Sequence, residues 1–149
     1  MFDRDARRSR ELFESGFYCA ESVLLAIAEN KGIHSEWIPK IATGFCSGLA
    51  RTCGTCGAVS GAIMGINLVA GRNTPKEPLD RDYAAVGQFL KGFENRFGST
   101  NCQQLTGCDL GTPEGQASFQ EKHVMEQCNG YVVEEATRLA LTIIENIPS

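Results

Sequence analysis

Histidine is scarce in this chain, with two residues, tryptophan occurs once, and proline five times in 149 residues. Few prolines and a hydrophobic content of 42% argue against disorder. Basic clusters are missing and the formal net charge is -4, so nucleic acid is not an expected partner. A long apolar run is missing too. Residues 52 to 71 are uncharged, but the first six are polar or glycine. The mainly apolar part, 58 to 70, includes Ser60 and Asn67 and is too short to span a bilayer. The polar N-terminus, Met-Phe-Asp-Arg-Asp-Ala-Arg-Arg, has no apolar signal region behind it. These absences predict a soluble, cytoplasmic protein without a membrane segment. The length suits a single domain with a real core.

What the chain has in quantity is cysteine: seven residues. The odd count and the missing signal disfavour a secreted disulfide scaffold. A plain alternative is that several are small core residues, because free cysteine is often buried. The stretch Arg51-Thr-Cys-Gly-Thr-Cys-Gly-Ala-Val-Ser-Gly61 speaks for more. It holds Cys53 and Cys56 in a C-x-x-C directly before the apolar run, which has the length of a buried helix. Cys56 is therefore expected at a helix N-terminus, where free N–H groups and the helix dipole favour a thiolate. The nearby charge of Arg51 would act in the same direction. Gly57 follows Cys56 where haem attachment would require His, so no haem site is encoded.

The pieces Gly16-Phe-Tyr-Cys19-Ala-Glu, Cys56-Gly-Ala-Val-Ser-Gly61, Phe97-Gly-Ser-Thr-Asn-Cys102 and Cys128 come in the order of a known signature. The chain resembles the small redox-active family known by that signature, C…GCAxxG…C…C. Residues 109 to 115 are similar to it as well. The resemblance implies that Cys19, Cys56, Cys102 and Cys128 are the family's four cysteines, with Cys46, Cys53 and Cys108 as additions. It implies cysteine redox or cluster chemistry. A related segment accompanies an iron–sulfur centre in a split-Soret cytochrome, which supports a cluster by analogy.

Apolar residues recur at steps of three and four along most of the chain, predicting an all-α, single-domain orthogonal helical bundle. The first predicted helix runs from 3 to 31, with Phe13, Phe17, Ala20, Leu24 and Ile27 on one stripe, Gly16 as a weak point, and Cys19 inside the helix on the stripe's flank. A second runs from 36 to 46 behind a Ser35 cap, with Pro39 in its first turn, Ile38, Ile41, Ala42 and Phe45 inward, and Trp37 packed. The third follows the C-x-x-C and is expected to be central. Its Gly57, Gly61 and Gly65 recur every four residues, leaving one side bare for a close helix or for the cysteines. A fourth runs from about 79 or 80 to 97 with Tyr83, Val86, Phe89, Leu90, Phe93 and Phe97 inward. A short turn is expected at Cys102, and a helix start at Thr112-Pro113-Glu114. The last helix, 131 to 147, places Val132, Ala136, Leu139, Ile143 and Ile147 inward, pairs Glu134 with Arg138, and has Cys128 near its start.

These readings leave three functions open. In reversible thiol/disulfide chemistry, Cys53 and Cys56 form an exchange pair, or Cys56 joins a distant thiol, with a redox protein or a small thiol or disulfide as partner. In an iron–sulfur electron-transfer protein, Cys19, Cys56, Cys102 and Cys128 ligate the cluster, zinc being the less favoured metal. In a binding or scaffold protein the cysteines are structural. The glycine-lined helix is also a candidate homodimer surface. His34 reads as a surface residue, and His123 as a weak candidate for assisting the sulfur site.

Overall fold

The structure, a computed structural model, describes residues 1–148, the side chains at 129 and 130 excepted. It is all-α. Among the described residues there is no strand or sheet, only an isolated antiparallel bridge between Thr55 and Asn101.

The stretch expected to be one helix from 3 to 31 is two, α1 (Asp3–Glu14) and α2 (Cys19–Asn30). Gly16 breaks it by adopting φ 119°, which side-chain-bearing residues rarely reach. The Ser15 hydroxyl donates to the Leu12 carbonyl at 2.7 Å, closing α1. Tyr18 is extended and its N–H donates to Glu21 Oε1 at 3.1 Å, opening α2. Phe13, Ala20, Leu24 and Ile27 stay buried, so the stripe reported burial and not helix continuity. The break makes Cys19 the first residue of α2, not an interior one.

The predicted helix from 36 to 46 also fails. A turn covers 36–39, and only Lys40–Phe45 is helical, as a 3₁₀ helix. Pro39 lacks an N–H and disfavours helical backbone at Ile38. Ser35 does accept the Trp37 N–H, at 3.1 Å. Of the residues expected inward or packed, Ala42 is buried and Ile38 partly so, while Trp37, Ile41 and Phe45 are exposed.

Next comes a feature no sequence pattern announced. Ser47, Gly48, Leu49, Ala50 and Arg51 all have φ between 55° and 67°, a left-handed helical turn. Only one of the five is glycine. For the others this conformation costs roughly 1–2 kcal/mol per residue, because Cβ crowds the following carbonyl. Cys53 follows with φ 60°.

Helix α3 (Gly57–Ala70) is central, as its lack of charge requires. Its glycines face α2: a Cβ at position 61 would lie 2.5 Å from the Ala20 carbonyl oxygen, and one at 65 would lie 2.6 Å from Ile27 Cδ1. Val59, Ala62 and Ile66 are fully buried. Helix α4 (Asp80–Phe97) adds Phe89 and Phe93, also fully buried, and ends where Gly98 turns left-handed at φ 85°. Burying such rings stabilises by about 1.5–3 kcal/mol each. Tyr83, expected inward, is exposed; Ala85 takes the buried position.

Three short helices follow. Asn101 caps α5 (Cys102–Thr106) by accepting the Gln104 N–H. Thr112 caps α6 (Pro113–Glu121) by accepting the Gly115 N–H. Helix α7 (Val124–Gln127) runs without interruption into a π-helical turn, Cys128–Val133, and then α8 (Glu134–Glu145). Cys128 therefore lies within a helical run, not at a helix start. Val132, Ala136 and Ile143 are buried as expected, with Ala140, Leu141 and Ile144 beside them. The expected Glu134–Arg138 pair is not made. Arg138 bridges Asp3 and Glu135, and Glu134 pairs with Arg10, because α1 packs alongside α8.

Candidate functional site

Two helix starts meet at Cys19. The residue opens α2, and Gly57 opens α3. A Cβ at position 57 would lie 2.8 Å from Cys19 Sγ, 3.0 Å from the Phe45 carbonyl oxygen and 3.1 Å from the Ala20 nitrogen. Only glycine lets the sulfur come so close to this helix end. Burial pushes the Cys19 thiol up from its ordinary pKa. The backbone N–H groups of Ser47, Cys19, Ala20 and Gly57 oppose that by favouring the thiolate. The left-handed turn contributes the Ser47 N–H, so its strained backbone serves the sulfur.

Cys56 caps α3, as expected, and is buried. Burial pushes its thiol well up, negative charge at Cys19 and Cys128 adds to this, and the N–H groups of Ala58 and Val59 oppose it. Cys102 opens α5 and is buried; burial, then negative charge at Cys19, Cys53 and Cys108, raise its thiol to about 11. Cys128, half-buried on the π-turn, is raised to about 12 by burial and by negative charge at Cys19, Cys102 and Cys108. A π-turn re-aims side chains relative to a regular helix and is frequent at functional sites.

These four sulfurs line one cavity. Its volume is about 260 Å³, and Phe97, Leu105, Val132 and Val133 are among its apolar walls. Cys19, Cys102 and Cys128 also line a second cavity of about 140 Å³, shared with Phe13, Tyr18, Arg51, Phe119 and Met125. The three thiols are thus shared by both cavities, the larger called the inner cavity and the smaller the outer. All seven cysteines are free thiols in this structure.

The C-x-x-C does not aim both thiols at the inner cavity. The Cys53 Sγ–H donates to Asp109 Oδ1 at 3.1 Å, and this bond, then desolvation and the carboxylate charge, raise its pKa. Cys53 lines neither cavity. Its backbone still serves the site: its carbonyl accepts from Asn101 Nδ2 at 2.7 Å, beside α5. Arg51 lines the outer cavity with Cys19, Cys102 and Cys128, while Cys56 lines the inner one. His34 and His123 are both exposed and line neither cavity.

Cys46 had no distinguishing sequence signal. It is buried, its Sγ–H faces Glu21 Oε1 at 3.6 Å, and Glu21 Oε2 accepts from the Thr43 hydroxyl at 2.8 Å. Burial first, then negative charge at Cys19 and Glu21, raise its thiol to about 12. Cys108 is buried and turned to the Thr106 carbonyl.

The donor set can be tested against the metals it suggests. Among the described residues no three His, Cys, Asp or Glu side chains are grouped to hold a metal ion. Four thiols around one cavity do match the donor chemistry of an iron–sulfur cluster, which spreads its ligands over several irons.

A family model described as "Putative redox-active protein (C_GCAxxG_C_C)" matches residues 17–143. An uncharacterized protein of Archaeoglobus fulgidus is 31% identical over 112 residues, which cover 69% of this chain and 74% of that protein. No solved structure matches. No helix among the described residues is long and apolar enough to cross a membrane.

Proposed function

The chain belongs to the C_GCAxxG_C_C family, and we propose that it works by reversible thiol/disulfide chemistry centred on Cys19 and Cys56. The observation that carries this reading is the seating of Cys19 Sγ against Gly57, next to Cys56 and on the cavity all four family thiols line. Oxidation converts two thiols to one disulfide and releases two protons and two electrons. Both end states are uncharged. The burial of Cys19 and Cys56 tolerates each, although it disfavours a standing thiolate. The transient thiolate at Cys19 has N–H donors from four residues, and that at Cys56 has two.

In the forward direction the Cys19 thiolate attacks one sulfur of a partner disulfide. The partner's S–S bond breaks, a mixed disulfide forms, and the leaving sulfur takes up the proton Cys19 released. Cys56 then attacks Cys19 Sγ, forms the internal disulfide and releases the second partner thiol. Cys102 and Cys128 hold the walls of the cavity and are the reserve thiols for rearrangement.

An iron–sulfur cluster is the second reading, favoured by four thiols on one cavity, where negative charge at Cys19 raises the other three and a cationic centre would relieve it. Cys19, Cys56, Cys102 and Cys128 would hold it, and it would supply one-electron transfer. The two readings separate in protein prepared without oxygen, reduced, and assayed for iron, zinc and thiols before and after controlled oxidation. Thiol/disulfide chemistry requires metal-poor protein that loses two thiols per event and yields a Cys19–Cys56 cross-linked peptide. Near-stoichiometric iron with all four thiols protected would overturn it in favour of the cluster.

A further inference from the structure

The outer cavity has the parts of a small-molecule site. Arg51 is the one charged residue in its lining, beside the hydroxyls of Tyr18, Ser47 and Thr106 and the amides of Gln116 and Gln120. The Arg51 side chain makes no hydrogen bond or ion pair among the described residues, and it shares the cavity lining with three thiols. Gln120 makes no side-chain hydrogen bond either, and Gln116 spends its Nε2 on the Leu110 carbonyl at 2.9 Å. Phe13, Leu110, Phe119 and Met125 supply its apolar walls. The backbone of Arg51 is held firmly: the chain at Gly111 packs so close that a Cβ there would lie 2.8 Å from the Arg51 carbonyl oxygen. The left-handed turn thus ends in a cation that lines the same cavity as three thiols.

We infer that this cavity binds a low-molecular-weight disulfide bearing a carboxylate, its anionic end on the Arg51 guanidinium and the Gln120 amide, its apolar arm along Phe119 and Met125, and its S–S bond toward Cys19. The inference rests on the thiol/disulfide reading and supplies its substrate class. The guanidinium matches a carboxylate in shape and charge. The overall charge of -4 would repel an anion, so local attraction at this residue decides whether it enters. The reaction balances as one substrate disulfide and two protein thiols giving two substrate thiols and the Cys19–Cys56 disulfide.

The test uses three disulfides of similar size on the reduced full chain: dianionic dithiodipropionate, neutral hydroxyethyl disulfide and dicationic cystamine. Rates of thiol loss are normalised to each compound's rate with a small free thiol. The dianion is expected to react about 10-fold or more faster than the dication, within the range of electrostatic steering. Arg51→Gln should flatten that preference, Arg51→Lys should keep part of it, and Arg7→Gln on the distant face should leave it intact. Suberate, the unreactive carbon counterpart of the dianion, should slow iodoacetamide labelling of Cys19 in the parent chain and not in Arg51→Gln. A preference absent from the parent, or unchanged in Arg51→Gln, overturns the inference. So does suberate that fails to protect. Arg51-dependent protection by suberate, with no disulfide consumed by any of the three compounds, would uphold the anion site and overturn the thiol/disulfide reading instead.

Discussion

Cys19 Sγ occupies the space where Gly57 would carry a side chain, with 2.8 Å between the sulfur and a Cβ built at that position. Nothing at that end of α3 can yield cheaply, because the Phe45 carbonyl and the Ala20 nitrogen are almost as near. Gly57→Ala is therefore expected to push Cys19 away from the helix end. Overpacking of this kind costs about 1–3 kcal/mol, readable in urea unfolding. The Cys19–Cys56 cross-link should also form more slowly in the variant. A variant as stable as the parent would show that the two helices separate freely.

Ala50 is exposed and held at φ 55°. Glycine there relieves the left-handed strain, roughly 1–2 kcal/mol, while adding roughly 0.5–1 kcal/mol of unfolded-state entropy. Ala50→Gly should therefore stabilise the protein by up to about 1.5 kcal/mol. Denaturant melts check this, and a loss of 1 kcal/mol or more would mean that the methyl group packs more usefully than its exposure indicates.

The raised thiols make the reduced protein sensitive to alkali. Cys46 and Cys128 keep their protons in the folded state to about 12, against about 9 when unfolded. Below pH 9 both states are protonated and the stabilisation is fully present. It is lost as pH rises through the folded values, because the unfolded chain gives up its protons first. Stability of the reduced protein should fall between pH 9 and 12, and less steeply in Cys46→Ala. Equal slopes would remove Cys46 from the account.

Glu21 caps α2 and faces the Cys46 thiol through the same oxygen, Oε1. Glu21→Gln can keep the cap through its amide oxygen but removes the negative charge that helps raise Cys46. Iodoacetamide labelling of Cys46, followed against pH by peptide mapping, should shift to lower pH in the variant. A midpoint that stays in place would confine Glu21 to capping.

Much of the fold could be read directly. Helices α3 and α4 begin at Gly57 and Asp80 and end at Ala70 and Phe97, where composition placed them. A charge-free segment must be central, and helix caps and apolar spacing are local signals. The place of Cys56 at the start of α3 was equally local, since the apolar run begins right after it. The spacing of Gly57, Gly61 and Gly65 carried its double meaning openly, with the first against a cysteine and the others against a helix.

What only the tertiary structure decided was which way each sulfur and charge points. Apolar periodicity survives a break, so the stripe through Phe13 and Leu24 hid the turn at Gly16 that makes Cys19 a helix start. Ser47, Leu49, Ala50 and Arg51 have no local preference for left-handed backbone, and only packing against neighbours such as Gly54 and Cys102 holds them there. Arg51, the last residue of that turn, lines the outer cavity. Cys53 turns to Asp109, fifty-odd positions along the chain, and Cys46 to Glu21 for the same reason. A thiol's neighbours in a helical fold are set by how the helices pack, and sequence separation does not record that geometry.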